Sequence, residues 1–133
     1  MKNIAVLLII SGLLYFSSCK KETESEQFRL LTGTTWVSDS LLANGIDASG
    51  PDQMLENFKG EANFNADGSG EFGKFSGTWR FAFEETQLVI ETDSLPIPLA
   101  TIISELTKTS LKINTSYTIL DRATNIRMTF KAK

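Results

Sequence analysis

The chain has 133 residues and a formal net charge of −3, with 41% hydrophobic and 22% charged residues. It contains no histidine and one cysteine, Cys19, which excludes Ser-His-Asp and Cys-His catalysis and metal sites built on histidine and cysteine. The acidic residues are scattered and there is no basic cluster in the body of the chain. We therefore expect a protein that is not an enzyme, has no metal or cofactor, and does not bind nucleic acid.

The first 18 residues have the layout of an export signal. A short positive region, Met1-Lys2-Asn3, precedes an uncharged apolar run at residues 4–16 and the small residues Ser17-Ser18. This order predicts a secretory signal peptide over residues 1–18. A transmembrane helix is the alternative, but it needs about 20 apolar residues, and this run stops earlier, at Ser-Ser-Cys-Lys-Lys.

Cys19 directly follows the signal. The motif Phe16-Ser17-Ser18-Cys19 resembles a lipobox, the site at which bacterial lipoproteins are cleaved and acylated. The resemblance implies that Cys19 becomes the N-terminus and carries fatty acids such as palmitate. A lone cysteine in an exported chain has no disulfide partner within the chain, and two or three acyl chains hold a protein stably on a membrane.

A charged segment, Lys20-Lys21-Glu22-Thr23-Glu24-Ser25-Glu26, comes next. It is similar to the tethers of lipoproteins from the Bacteroidota, in which a charged patch after the cysteine directs export to the cell surface; a plain solvated linker is the alternative. Such a segment cannot bury enough apolar surface to fold alone. We expect a signal peptide at 1–18, a lipidated tether at 19–28 and one domain at 29–133, anchored to the outer membrane.

Short strands dominate the domain. Apolar and polar residues alternate with period two in most of them, and residues 51–58 are expected to form one or two helical turns after Pro51. Asp67-Gly68 indicates a hairpin turn, in preference to a calcium loop, which would need Glu where Lys74 stands. Gly73 suggests a bulge. The predicted strands are 35–42, 59–65, 70–75, 78–83, 87–92, 99–106, 110–119 and 125–131.

Eight strands joined by short turns favour an up-and-down antiparallel β-barrel. An immunoglobulin-type sandwich would have longer crossovers and often a Cys-Trp-Cys core, which this chain cannot make. The segment 30–37, with Gly33 and Trp36, resembles the opening strand of lipocalin-like domains. Segments 64–70, 75–79 and 103–108 are similar to features of lipocalin-like lipoproteins from the Bacteroidota, so the resemblance covers residues 30–133.

The lipocalin resemblance implies a barrel that is open at one end, with an apolar pocket for a small hydrophobic ligand. It also implies an arginine near Trp36, for which Arg127 is the candidate, a surface charge being the alternative. The second hypothesis is a filled barrel that binds an envelope protein partner through its loops or outer face. The candidate ligand contacts, whose alternative role is plain core packing, are Trp36, Trp79, Ile103, Ile113, Tyr117 and Met128.

Two further motifs concern modification. Asp39-Ser40-Leu41 and Asp93-Ser94-Leu95 resemble the acceptor sites of Bacteroidota O-glycosylation. Ser94 lies in a loop with two prolines and is the accessible candidate, whereas Ser40 is expected inside a strand and unmodified.

Overall fold

Period-two alternation produces strands along most of the chain in the computed structural model, which describes residues 24–133. The predicted signal peptide, Cys19 and residues 20–23 of the tether lie outside the described residues. Within the described part, no helix is both long and apolar enough to cross a bilayer.

The strands form one antiparallel sheet that closes on itself. A short helix, α1 (Glu26–Thr32), comes first. The strands are β1 (Trp36–Ala43), β2 (Ile46–Asp47), β3 (Glu61–Phe64), β4 (Ser69–Phe72), β5 (Phe75–Ala82), β6 (Gln87–Thr92), β7 (Leu99–Leu106), β8 (Ser110–Ile119) and β9 (Arg122–Ala132). From β3 to β9 each strand pairs with the next along the chain, β1 pairs with β3, and β9 returns to pair with β1. Because β2 is a two-residue addition to the edge of β1, the closed barrel itself consists of the other eight strands. The predicted eight-stranded up-and-down barrel is confirmed.

Strand register sets the barrel interior. In β9, Ile126, Met128 and Phe130 are buried, whereas Arg127 between the first two and Lys131 after the third are exposed. Met128 lies opposite Ile113 of β8 and Phe130 lies opposite Leu111. A fully buried side chain of this size contributes roughly 1.5–3 kcal/mol, so the inward rows of all eight strands supply most of the stability.

The helix α1 closes one end of the barrel, hereafter the closed end. Ser25 caps it, because the Ser25 hydroxyl accepts a hydrogen bond from the Phe28 amide at 3.1 Å. The helix contacts β3 and β7, which lie on opposite sides of the barrel. Leu31 is fully buried. The sequence pattern predicts no helix here, and α1 starts inside the predicted tether.

The opposite end, hereafter the mouth, is partly covered by residues 44–60. This segment folds back along β1, where the Ala48 amide donates to the Leu41 carbonyl at 2.9 Å. A 3-10 helix at Glu56–Phe58 takes the place of the helical turns expected over 51–58. Its hydrogen bonds span three residues, as from the Phe58 amide to the Leu55 carbonyl, and they turn Leu55 and Phe58 into the barrel.

Two glycines lie in positions other than those expected. Gly73 is in the two-residue turn between β4 and β5, since Phe72 pairs directly with Phe75, so the bulge prediction is wrong. Its φ of +62° explains the glycine, and a Cβ there would meet the Asn57 carbonyl oxygen at 2.3 Å. Gly77, which falls in the gap between the predicted strands 70–75 and 78–83, lies within β5, opposite Thr92 of β6.

Candidate functional site

An apolar cleft opens at the mouth of the barrel. Its volume is about 60 Å³. Leu55 and Phe58, hereafter the plug residues, form one wall, and the end of β8 with the first half of β9 forms another. The side chains that line it are Met54, Leu55, Phe58, Leu95, Leu99, Tyr117, Ile119 and Ile126. The Tyr117 hydroxyl is therefore the only polar side-chain group among the cleft residues.

Exposed apolar side chains also lie on several segments at the mouth. Ile46 of β2 is 73% exposed, Ile97 in the β6–β7 loop 55%, and Leu120 in the β8–β9 turn 92%. Met54, which lines the cleft, is also exposed. Contiguous exposed apolar surface marks sites of ligand or protein contact more often than isolated residues do. The mouth therefore combines a small cleft with an apolar rim.

The structure separates the six candidate ligand residues. Trp36, Ile113 and Met128 are buried in the core, with Ile113 directly opposite Met128. Ile103 lies opposite Ile113 on the other side and packs against the same core. Tyr117 lines the mouth cleft. Ile103, Ile113 and Met128 therefore share one interior region, and Tyr117 belongs to the mouth.

Trp79 lies in an aromatic cluster inside the barrel. Its ring makes edge contacts with Phe64 at 5.9 Å and Phe81 at 5.4 Å between centroids. Its indole nitrogen donates to the Asn65 carbonyl at 2.9 Å. Phe28 of α1 covers the cluster at 5.8 Å from Trp79. These rings occupy the interior on the side of β3 to β5.

Aliphatic side chains occupy the other half of the interior. Leu88, Ile90 and Leu111 are buried, together with Ile113 and Met128. Protein interiors pack at crystal-like density with few voids larger than a water molecule. Side chains of the barrel itself thus line both halves of the interior. The apolar cleft lies at the mouth.

Trp36 and Arg127 are not partners. The Trp36 indole nitrogen donates to the Leu31 carbonyl at 3.2 Å inside the closed end. Arg127 is on the outer face of β9, where its Nε donates to the Asn114 side-chain oxygen at 3.3 Å. The alternative reading of Arg127 as a surface charge is the one that fits. The helix carbonyl replaces the arginine as the polar partner of Trp36.

The carboxyl groups with altered acidity lie outside the mouth cleft. Hydrogen bonds from the Ser110 hydroxyl, and secondarily from Lys112, lower the pKa of Glu105. Hydrogen bonds from Ser49 and Ser69 likewise lower the pKa values of Asp47 and Asp67. A general acid that works at neutral pH needs a raised pKa, whereas the pKa values of these three carboxyl groups are lowered. Over residues 24–133, no group of three or more metal-ligating side chains is close enough to hold an ion.

The two serine candidates for glycosylation differ in access. Ser94 is exposed in the β6–β7 loop, one residue before Leu95 of the cleft. Ser40 is half-buried in β1, where its amide donates to the Thr129 hydroxyl at 3.1 Å. The access that glycosylation of Ser94 requires is present, and the modification itself stays a prediction.

Over residues 24–133, the protein is a small closed antiparallel β-barrel with an apolar cleft at its mouth. Comparison of the sequence with protein-family models and with curated proteins finds no match.

Proposed function

We propose that this protein is a lipid-anchored protein of the cell envelope that binds an apolar group at the mouth of its barrel without catalysing a reaction. The observation that carries the proposal is the mouth cleft, in which seven apolar side chains and one tyrosine converge. Apolar clefts with a few polar groups are the usual form of ligand sites, and barrel mouths are a common place for them. The lipocalin-like segments of the sequence support the same class of function.

The size of the cleft limits the ligand. Pockets that enclose a drug-sized molecule measure about 300–1,000 Å³, whereas this cleft measures about 60 Å³. It accepts the end of a slim apolar molecule, such as the terminal methylenes of a fatty acid, while the rest of the chain lies along Met54 and Ile97 on the rim. At ~25 cal/mol per Å² of buried apolar surface, less the cost of association, we expect affinity at or weaker than the micromolar range.

The anchor is proposed from sequence. Acylation of Cys19 would hold the barrel at the outer membrane, on the periplasmic side or at the cell surface. Replacing Cys19 with serine removes the acceptor thiol, so Cys19→Ser should release the protein from membranes after a high-salt wash. Full retention of that variant on washed membranes would contradict lipid anchoring.

A second candidate function is binding of an envelope protein. The exposed rim residues Ile46, Ile97 and Leu120 favour it, because a protein partner can cover a rim as well as fill a cleft. The cleft would then receive one apolar side chain of the partner. The buried side chains inside the barrel are compatible with this reading, since it requires no internal pocket.

A titration observed by methyl NMR separates these readings. Isoleucine methyl labels report on the cleft through Ile119 and Ile126, on the interior through Ile113, and on the outer face through Ile102. Adding decanoate below its micelle concentration to the soluble domain should shift the cleft signals in a saturable way and leave Ile102 unchanged. Saturable shifts at Ile113 alone would place the site inside the barrel. If no signal saturates below about millimolar ligand, the small-ligand proposal fails.

A matched pair of variants tests the location. Ile119→Phe adds volume at the cleft and should weaken decanoate binding several-fold. Ile102→Phe makes the same change on the exposed outer face of β7 and should leave binding unchanged. Equal effects of the two variants would contradict binding at the cleft.

A further inference from the structure

The turn between β5 and β6 has an unusual backbone at the closed end. Phe83, Glu84 and Glu85 are consecutive and all have positive φ, at 49°, 55° and 64°. This left-handed region is disfavoured for residues that carry a Cβ. Hydrogen bonds hold the turn in place: both the amide and the hydroxyl of Thr86 donate to the Phe83 carbonyl, at 3.2 Å and 2.7 Å.

This turn presents an aromatic side chain to solvent. Phe83 is 74% exposed, whereas Phe64, Phe72 and Trp79 are buried. A hairpin tip in water has no need of phenylalanine, and asparagine, aspartate or glycine adopts left-handed φ more readily. The strained turn thus directs an apolar ring away from the barrel, and strain that the surrounding structure maintains is a reason to look for function.

The turn is bonded to the start of the folded chain. The Ser25 hydroxyl, which caps α1, donates to the Glu85 carboxylate at 2.5 Å. Cys19 is six residues before Ser25. At ~3.3–3.6 Å per residue, this stretch spans at most about 20–22 Å. A cysteine acylated in a membrane would therefore keep Ser25 within that distance of the headgroups, and the Phe83 turn is hydrogen-bonded to Ser25.

We propose that the Phe83 turn is a second membrane contact, which inserts its ring into the interface of the leaflet that holds the acylated Cys19. The proposal rests on the proposed lipid anchor. It fixes the orientation of the barrel: the closed end faces the membrane and the mouth, at the other end of the strands, faces away from it. The mouth cleft is then open to molecules in the aqueous compartment and not to the lipids of its own bilayer.

Charge selects the kind of lipid surface. Glu84 and Glu85 adjoin Phe83, and Glu24 and Glu26 flank Ser25. Carboxylates repel anionic headgroups over about a Debye length, roughly 8–10 Å in physiological salt. The carboxylates beside Phe83 therefore favour a zwitterionic surface, such as phosphatidylethanolamine, at the turn itself, whereas Lys20 and Lys21 beside Cys19 can pair with anionic headgroups.

Site-directed spin labelling of the full acylated protein tests this contact. Because Cys19 is the only cysteine and would be acylated, Phe83→Cys gives the mature chain a single free thiol. Leu120→Cys is the matched control, since Leu120 is also exposed and has positive φ (48°), but lies at the mouth. In vesicles of phosphatidylethanolamine and phosphatidylcholine, the label at 83 should be several-fold more accessible to oxygen than to a water-soluble nickel complex. The label at 120 should show the reverse preference.

Each outcome decides a different point. A water-exposed label at 83 on protein that floats with vesicles would overturn the second contact and leave the anchor intact. A label at 120 inside the bilayer would overturn the orientation. Protein that does not float with vesicles would overturn the anchor and this contact together, while the decanoate titration of the soluble domain would still stand. As a check without a label, Phe83→Ser should speed transfer between vesicles several-fold relative to Leu120→Ser, and equal rates would contradict the contact.

Discussion

The two ends of the barrel are built from the same strands but bury their apolar side chains to different extents. At the closed end, α1 covers the barrel, Leu31 and Trp36 are fully buried, and the indole nitrogen has a carbonyl partner. At the mouth, loops leave Ile46 and Leu120 exposed around a cleft. The difference teaches that, apart from the exposed Phe83 turn, the closed end buries its apolar side chains, whereas the mouth leaves several of them exposed around a cleft, where they are available for binding.

The largest expected effect of a substitution is at the closed end. Trp36→Ala removes a fully buried ring and leaves the Leu31 carbonyl without its donor, so it should lower the free energy of unfolding by about 3–5 kcal/mol. Leu120→Ala at the mouth should change it by less than about 0.5 kcal/mol. Urea denaturation of both variants measures this contrast. Similar losses in the two would mean that the ends do not differ as described.

Much of this architecture follows from the sequence, because period-two alternation is a local signal. The prediction of β7 as 99–106 and β8 as 110–119 matches the structure to the residue. Barrel closure follows from the number of strands and the short turns. The turn between β4 and β5 is predicted at Gly77 but lies at Gly73. Either glycine could form a turn, and the choice depends on φ at Gly73 and on packing against Asn57.

The ends of the barrel were not predictable in the same way. The seven residues of α1 are too few for a clear helical pattern, although Ser25 followed by Glu26 is a helix-start signal that could have found it. The filling of the interior depends on how side chains from distant strands meet, as Ile113 and Met128 do. For the same reason, the cleft could not be predicted without the positions of Leu55 and Leu95, which belong to loops without periodicity. Of the six predicted ligand contacts, Tyr117 is the one that lines the cleft.

The second prediction concerns the plug at the mouth. Leu55 is buried and lines the cleft, so Leu55→Ala should cost about 2–3 kcal/mol in unfolding free energy. It should also enlarge the cleft and strengthen decanoate binding, because more of the chain can enter. Denaturation and the methyl NMR titration measure the two effects. A variant that loses stability and binds more weakly would show that Leu55 is itself a major ligand contact.

The third prediction asks whether backbone strain distinguishes the ends. Glu84 at the closed end has φ 55° and Asp121 at the mouth has φ 62°. Glycine relieves left-handed strain but loses more entropy on folding, so Glu84→Gly and Asp121→Gly should each stabilise by roughly 0.5–1 kcal/mol. Thermal unfolding of both variants tests the equality. A loss of stability in Glu84→Gly alone would show that the Glu84 side chain holds its turn.

The smallest expected effect compares one motif that occurs at both ends. The Asp47 carboxylate at the mouth accepts hydrogen bonds from the hydroxyl and amide of Ser49, at 2.7 Å and 3.1 Å. The Asp67 carboxylate at the closed end accepts the same pair from Ser69, at 2.6 Å and 2.9 Å. In each case the serine hydroxyl is the main cause, and the amide the second, of a pKa below the ordinary 3.8.

Because the folded pKa is the lower one, these bonds stabilise the protein above pH 3.8, and the stabilisation is lost as pH falls through the lowered value. Both motifs are exposed to solvent, so the change should be small at each end. Asp47→Asn and Asp67→Asn should each lower the melting temperature slightly at pH 7, and the difference from the unsubstituted protein should shrink below pH 3.8. Carboxyl carbon NMR titration measures the pKa values directly. An ordinary pKa at Asp47 beside a lowered one at Asp67 would show that the mouth loop does not hold its turn in solution, which would extend the contrast between the ends from packing to motion.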